Sequence, residues 1–465
     1  TLFRSGEEYH CIMKKNTTIL TATLFMLLTC SSAWAQSVVM GLKDCMEYAV
    51  SHSNKVKMQQ ADYRDAQINR REAILTAFTP SVEAGSYAYT NFGRSIDPET
   101  NTYIRTTSFH NGYSLSAGMV LFNGFQAVNN LKITKTAEKM GLTKTRQLQD
   151  QICLATMEAY CNVVYYAELS AVLQAQVGTA DTALLLARRQ EELGQKSHAD
   201  VVQMQADLAD RQYQLTNCRN CLNDAFITLK DVMFWPMEDS LAIDLTVSEL
   251  PMLLDKTGPV EVKVMAEEVR QSLPQVLLAK GGMENARLAL MTARWQLLPR
   301  LSLYGGWSSS YFTYPGQAGY VVTPFFEQIK NNRGQYVQLS LSIPIFDRLS
   351  RCSNIGRKKN AYQRAVAEYE QTLQEVDAEV RRAVADRDGA SQALNQADIR
   401  ATLQQEAYAL NAKSFENGLI SSIEYQTASN NYLNALAEKL NARLQYFIKN
   451  SVVKYYQGTS YLEQF

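Results

Sequence analysis

Two stretches of the chain alternate apolar and small polar residues with a period of two. In residues 113–121, Tyr113, Leu115, Ala117, Met119 and Leu121 fall on one face, with Ser114, Ser116 and Gly118 on the other. In residues 337–345, Val337, Leu339, Leu341, Ile343 and Ile345 alternate with Gln338, Ser340 and Ser342. This is the pattern of a strand with one apolar and one polar face. Runs at 82–90 and 301–309 alternate less cleanly, with Leu301, Leu303 and Trp307 on the better face. The connections 91–112 and 310–335 are polar and rich in Asn, Gly, Thr and Tyr, so they read as surface loops.

Between Phe125 and Gly194 the period becomes helical: Leu148, Ile152, Ala155, Ala159, Val163, Tyr166, Leu173 and Val177 recur at spacings of three, four or their sum, and Gly178 is the one expected irregularity. Beyond Ser197 the period tightens to seven. Val201, Leu208, Leu215, Leu222 and Leu229 hold one position, and Met204, Cys218, Ala225 and Val232 another, with Arg211 interrupting the second set. A sustained heptad predicts left-handed supercoiling against neighbouring helices. A shorter version recurs in Leu433, Leu440 and Phe447 with Leu436 and Leu444.

The whole pattern occurs twice. Residues 113–125 lie on 337–349 at an offset of 224, and Gly194 with Asp200 lies on Gly418 with Glu424 at the same offset. Pro80 and Pro299 precede the matching first strands at an offset of 219, so the five-residue difference falls in the loop between the paired strands. Each unit is therefore a helix, a strand, a loop, a strand and a long helical hairpin. The predicted domains are a first repeat over 36–233 (strands 80–91 and 112–122, hairpin 125–233), a linker over 234–262 and a second repeat over 263–465 (strands 299–310 and 335–346, hairpin 349–456). Residues 1–35 read as upstream sequence and a signal peptide: Met13-Lys14-Lys15 is a basic start, Thr17 to Thr29 an apolar stretch, and Ala33-Trp34-Ala35 a small-x-small cleavage site before Gln36. Leu27-Leu28-Thr29-Cys30 only faintly resembles a lipoprotein box, because Thr is a poor residue before an acylated Cys.

Lys plus Arg, 46, equals Asp plus Glu, 46, and no basic tract interleaved with aromatics argues for a nucleic-acid partner. Nothing after residue 36 approaches the roughly 20 consecutive apolar residues that cross a bilayer as a helix. An exported chain of this kind stays soluble or enters a membrane as strands. Lipid-facing strands need every backbone group paired, hence a closed barrel. Four strands cannot close one, since the smallest common barrels have about eight. Several copies must share a barrel, with Leu115, Met119, Leu339, Leu341 and Ile343 facing lipid and the helices continuing as a tube.

The arrangement resembles the TolC-type outer-membrane efflux proteins over essentially the whole mature chain. The residues carrying the resemblance are Leu121-Phe122-Asn123-Gly124 and Ile345-Phe346-Asp347-Arg348 at the ends of the second strands. Others are Gly194-Gln195-Lys196-Ser197 with Asp200, and Gly418-Leu419-Ile420-Ser421 with Glu424, at the hairpin turns. The resemblance implies an α+β membrane protein: a homotrimer with a twelve-stranded outer-membrane barrel and a periplasmic helical tunnel, coupled to a periplasmic adaptor and an inner-membrane transporter. It places Glu424 in a periplasmic aperture ring, with the further acid of that ring replaced by Thr427. It makes Asp200 a latch residue whose basic partner position is Ile420, leaving Lys196 as the substitute base. Three copies of Glu424 at one constriction repel each other and raise their effective pKa.

No catalytic constellation, cofactor motif or metal cluster is legible, which argues against an exported enzyme. His10, His52, His110 and His198 are scattered, and His198 reads as a solvated loop residue. Cys218 and Cys221 have redox-motif spacing but sit mid-helix, where Cys218 fills a heptad position. An oxidising periplasm leaves a disulfide from Cys218 to Cys161 open. The leading function is the outer-membrane channel of a tripartite efflux pump. Alternatives are the duct of a type I protein secretion system and, from another class, a periplasmic coiled-coil adaptor, which would need no paired lipid-facing strands.

Overall fold

A computed structural model describes residues 39–96, 100–244, 262–315 and 320–465, so the expected signal peptide, Cys30 and most of the linker lie outside the described residues. The elements run α1 (Leu42–His52), α2 (Asn54–Phe78), β1 (Ser81–Ile96), β2 (Tyr103–Phe122), α3 (Gln126–Glu192) and α4 (His198–Met233). They continue with α5 (Val262–Ser272), α6 (Pro274–Trp295), β3 (Arg300–Thr313), α7 (Phe325–Asn331), β4 (Gly334–Ser342), α8 (Ser350–Glu416) and α9 (Ser422–Tyr456), and a short 3₁₀ turn at Tyr461–Gln464.

The offset of 224 survives in three dimensions. α3 and α8 are both 67 residues long and start one repeat length apart. Each is entered through two successive left-handed residues, Gly124 and Phe125 in one repeat and Arg348 and Leu349 in the other. At 1.5 Å per residue each helix is about 100 Å long. Asn123 and Asp347 both accept the fourth-following backbone N–H, from Ala127 and Arg351, and so tie the strand end to the helix start. The hairpins leave their last helix through a second repeat-matched pair in the left-handed region, Phe234 and Gly458.

The helices differ from expectation in three places. α3 passes through Gly178 without interruption, because the roughly 1 kcal/mol cost of one Gly is small against the packing of so long a helix. An additional helix, α1 or α5, precedes the one expected in each repeat. α7 occupies part of the second inter-strand segment expected to be loop.

The four strands form one antiparallel sheet in the order β1-β2-β3-β4. β1 and β2 are longer than expected, 16 and 20 residues. They pair without a break from Ser81↔Gly118 to Ile96↔Tyr103, so most of the polar 91–112 segment is strand rather than loop. Its Thr, Tyr and Phe residues suit a pleated surface, and the register continues wherever both partners are extended. β4 is shorter than expected and stops at Ser342, opposite Arg300, the first residue of β3. Ile343 therefore lies just beyond the strand. Pro299 and Pro344 bracket that end of the ladder, and neither can donate an N–H. Where β4 has not yet begun, α7 covers the edge of β3. The Gln328 carboxamide accepts from Phe312 N–H and donates to Phe312 C=O, both at 3.0 Å, in place of a neighbouring strand.

The register sorts the sheet into two faces. Met119, Leu303 and Leu339 lie side by side, next to a row of Val82, Ala117, Gly305 and Val337 and another of Ala84, Leu115, Trp307 and Gln335. The opposite face carries Ser81, Gly118, Tyr304 and Gln338, then Glu83, Ser116, Gly306 and Tyr336. On that polar face three tyrosines lie over the glycine directly across the ladder: Tyr87 over Gly112, Tyr304 over Gly118 and Tyr336 over Gly306. A Cβ at any of the three glycines would run into the ring. The small residue on one strand is thus the seat for the aromatic on the next, a cross-strand pair that pins register.

The main core sits part-way along the hairpins, where α1 lays Cys45, Met46 and Ala49 against Met157, Val163 and Val164 of α3 and Leu229 and Met233 of α4. The second repeat builds its counterpart from Met265, Ala266 and Val269 of α5 with Val376, Val380 and Val384 of α8 and Val453 of α9.

Candidate duct surfaces: sheet face and hairpin tips

At the turn between α3 and α4, Gln195 N–H donates to Gln190 C=O at 2.8 Å. The repeat-equivalent bond, Leu419 N–H to Ser414 C=O, is also 2.8 Å. Both close over a left-handed glycine, Gly194 with φ 71° and Gly418 with φ 72°. This is the reason for Gly at these two positions: the bond to the C=O five residues back requires φ > 0. The chain then restarts as a helix at Ser197 and Ser421, each accepting the N–H of the acid three residues on, while that acid accepts the serine's own N–H. Asp200 Oδ2 takes Ser197 N–H at 3.2 Å and Glu424 Oε2 takes Ser421 N–H at 2.8 Å. The Gly-x-x-Ser-x-x-acid spacing is thus a helix stop followed by a capping box.

The two acids differ in what they do with the remaining oxygen. Asp200 Oδ1 accepts the hydroxyl of Ser422, a buried residue on the other hairpin, at 3.1 Å. It therefore ties the two tips of one chain together, and its pKa falls below the usual carboxylate range through the bonds from Ser197, then Ser422, and the nearby Lys196 charge. Glu424 is fully exposed and forms no ion pair among the described residues, and its pKa is also lowered, by the Ser421 backbone and hydroxyl bonds. Within one chain the capping box therefore acts in the opposite sense to the mutual repulsion expected of a ring. Thr427 is exposed one turn on, with its hydroxyl donating to Ile423 C=O.

Lys196 does not pair with Asp200. Its ammonium lies 3.4 Å from the centre of the Phe415 ring, and desolvation there lowers its pKa. The residue that meets Asp200 is Ser422. Its signal was present only as a small polar residue in the first turn of α9. His198 is solvent-exposed as expected, and its Nδ1 is 2.9 Å from Glu191 Oε1.

Arg211, an interruption in the sequence pattern, is the centre of a buried network. Its Nε is 3.4 Å from Asp207 Oδ1, and both side chains are almost fully enclosed. Asp207 also accepts Gln426 Nε2 at 2.9 Å, and Gln426 Oε1 accepts Gln203 Nε2 at 2.9 Å. Ser429 bridges Arg211 and Gln176. These side chains join α3, α4 and α9. The signal that could have found them is a charged residue at a position whose heptad mates are apolar.

All six described cysteines, Cys161 and Cys218 among them, are free thiols in the structure. Cys218 Sγ donates to Tyr166 C=O at 3.6 Å, and burial raises its pKa. Cys161 is pushed up to about 12 by burial and the Glu158 charge. Such thiols behave as small apolar groups. Among the described residues no cluster of His, Cys, Asp or Glu could hold a metal ion, and no helix is long and apolar enough to cross a membrane.

On the sheet, Leu115, Leu339 and Leu341 stand largely exposed on the apolar face and Met119 is half-buried there, while Ile343 is exposed just past β4. Both outer strands, β1 and β4, have an unpaired edge within the chain. An exposed apolar face bounded by open edges is unfit for water.

Residues 265–452 match the family model described as outer membrane efflux protein. The chain resembles the TolC-type outer-membrane efflux proteins. The likeness is one of sequence in the second repeat and one of fold throughout. CusC, a protein studied for its folding and transmembrane channel formation, superposes with a TM-score of 0.75 at 14% identity, covering 90% of this chain and 92% of that one. The outer membrane protein VceC of Vibrio cholerae gives 0.74 at 14% identity, covering 90% and 96%. The open MtrE outer membrane channel of Neisseria gonorrhoeae gives 0.71 at 14% identity, covering 90% and 88%. No curated protein matches the sequence. At these identities the structural likeness establishes a shared fold.

Proposed function

We propose that the chain is one third of an outer-membrane export duct. Three four-stranded sheets close a twelve-stranded barrel through their open edges, the apolar face turned to lipid and the tyrosine-glycine face to the lumen. The hairpins continue as a periplasmic tunnel that meets a periplasmic adaptor and an inner-membrane transporter in a tripartite efflux pump. The observation that carries this reading is the four-stranded sheet with an exposed apolar face and two unpaired edges, joined to two repeat-related hairpins of about 100 Å. A periplasmic adaptor made of the same hairpins would have no use for such a sheet. A type I secretion duct would need the same tube.

In this reading Asp200, Glu424 and Thr427 lie at the periplasmic aperture. Two unit charges 10 Å apart in water repel by about 0.4 kcal/mol, a fraction of a pKa unit. Repulsion of that size acts against the capping-box bonds but is too weak to protonate the carboxylate, so Glu424 stays ionised at neutral pH. Fractionation should find the protein in the outer membrane, and sizing in detergent should give three chains per particle. In planar bilayers the channel should prefer cations, and Glu424→Gln should weaken both that preference and block by multivalent cations, while Asp347→Asn near the barrel should do neither. A soluble monomer would defeat the duct, and unchanged selectivity in Glu424→Gln would defeat the ring.

A further inference from the structure

One groove between paired helices is open in the first repeat and bridged in the second. Between α3 and α4 a groove of about 440 Å³ is lined by Asn162 and Tyr166 on one side and by Asn220, Cys221 and Asp224 on the other, with buried Ala225 beneath them. That volume falls within the roughly 300–1,000 Å³ of small-molecule sites. One repeat length on, Asn162 becomes Asp386 and Ala225 becomes Lys449. There the Lys449 ammonium reaches across from α9 to Asp386 of α8 at 3.2 Å. Asp224 becomes Ile448 and Asn220 becomes Leu444. The second repeat thus brings its own ammonium, on the flexible stem of a lysine, to a place where no cation lines the first. In the first repeat the acid has instead crossed the groove. Asp224 lines it from α4, and its carboxylate forms no ion pair among the described residues.

We propose that this groove binds an alkylammonium ion, the free counterpart of the side chain that the first repeat lacks. The Asp224 carboxylate and the carboxamide oxygens of Asn162 and Asn220 offer acceptors to a group that carries three N–H donors and no acceptor. Tyr166 and Ala225 give the alkyl stem an apolar wall, as protein surfaces do for the stems of their own lysines. An anionic ligand would meet Asp224 with like charge, so the site selects cations. At about 100° per residue, Asn162 and Tyr166 lie on the side of α3 away from Met157 and Val164, which pack against α1. A further layer of helix inside a tube would fill its bore. In the duct reading α1 therefore lies on the outer wall and the groove opens inward, one site per chain. The inward placement rests on that reading, whereas the groove itself lies within a single chain.

The test uses the full chain in detergent with Cys352→Ser, which leaves Cys221 as the one described cysteine that is not buried. The probe is cadaverine, with pentanediol as its uncharged match and glutarate as its anionic one. Ligand-observed NMR titration should give saturable binding of cadaverine and none of the other two, and cadaverine should slow maleimide labelling of Cys221 several-fold. Asp224→Asn should weaken binding by about tenfold or more, the loss of a charge-assisted hydrogen bond. Asn162→Asp with Ala225→Lys writes the pair of the second repeat into the first and should abolish binding, while the sizing profile stays that of the parent. Unchanged affinity in Asp224→Asn, binding that survives the grafted pair, or equal binding of pentanediol would overturn the site. Binding without protection of Cys221 would place the amine elsewhere and overturn it as well. A trimer that shows no saturable binding would overturn the site and leave the duct intact. A monomer that binds cadaverine in the groove would keep the site and defeat the duct.

Discussion

α3 and α8 have the same length, the same entry turn and the same exit glycine, yet eighteen residues are buried along α3 and seven along α8. α3 is covered by α1, α2, α4 and α6 and receives α9 of the second repeat across Gln176 and Glu168. α8 has cover from α5, α6 and α9, and in one chain its Ile399, Leu403 and Leu410 stay exposed. Equivalent backbones with unequal burial are what the proposed duct requires of a chain that packs against copies of itself. The sheet points the same way by another route, because its apolar face has neither helix nor second sheet over it. In the proposed duct, copies of the chain cover α8 and lipid covers the sheet face.

Three sets of substitutions probe that contrast. The largest effect is expected at Arg211, whose repeat-equivalent residue is Ala435. Arg211→Ala leaves Asp207 buried without its cation and should cost about 3–5 kcal/mol in denaturant unfolding. Arg211→Met combined with Asp207→Asn should recover most of it. If Arg211→Ala were neutral, the polar network would not be what joins the two hairpins of a chain.

On the sheet, Leu339→Arg or Leu341→Arg should cost about 2–4 kcal/mol of trimer stability where the residue sits near the bilayer midplane, while Ser340→Arg should be mild. The heat-resistance of the assembled particle measures this. Equal effects at 339, 340 and 341 would mean that the faces are misassigned, despite the Met119–Leu303–Leu339 row.

The smallest expected effect compares the tips. Ser197→Ala and Ser421→Ala should each cost about 1 kcal/mol through loss of an N-cap, read as a lowered Tm. Both acids have depressed pKa values in the folded chain. Their stabilisation is therefore present above the ordinary carboxylate range and lost as pH falls through the lowered value. Asp200→Asn should remove more of this acid sensitivity than Glu424→Gln, because only Asp200 also holds Ser422. Equal loss in the two variants would show that the bond to Ser422 contributes nothing.

The duplicated plan, the presence of four strands, the two faces of the sheet and the hairpin turns were all legible in the sequence. Each of these is written in local periodicity or in turn chemistry that needs a particular residue. The offset of 224 carried through to the helix starts and stops because neighbours a few positions away set them, such as Asn123 with Ala127 and Ser421 with Glu424. What depends on partners distant in sequence emerged only with the folded chain. Folding extended β1 and β2 through polar residues, because pairing across the ladder outweighs hydropathy, and ended β4 at Ser342, where β3 begins. It turned Arg211 from a flaw in a heptad into the centre of a network, and brought Asp200 to Ser422 instead of Lys196. Residues 222 positions apart meet only because two separate hairpins lie side by side, and no local pattern records which of their polar side chains will face each other.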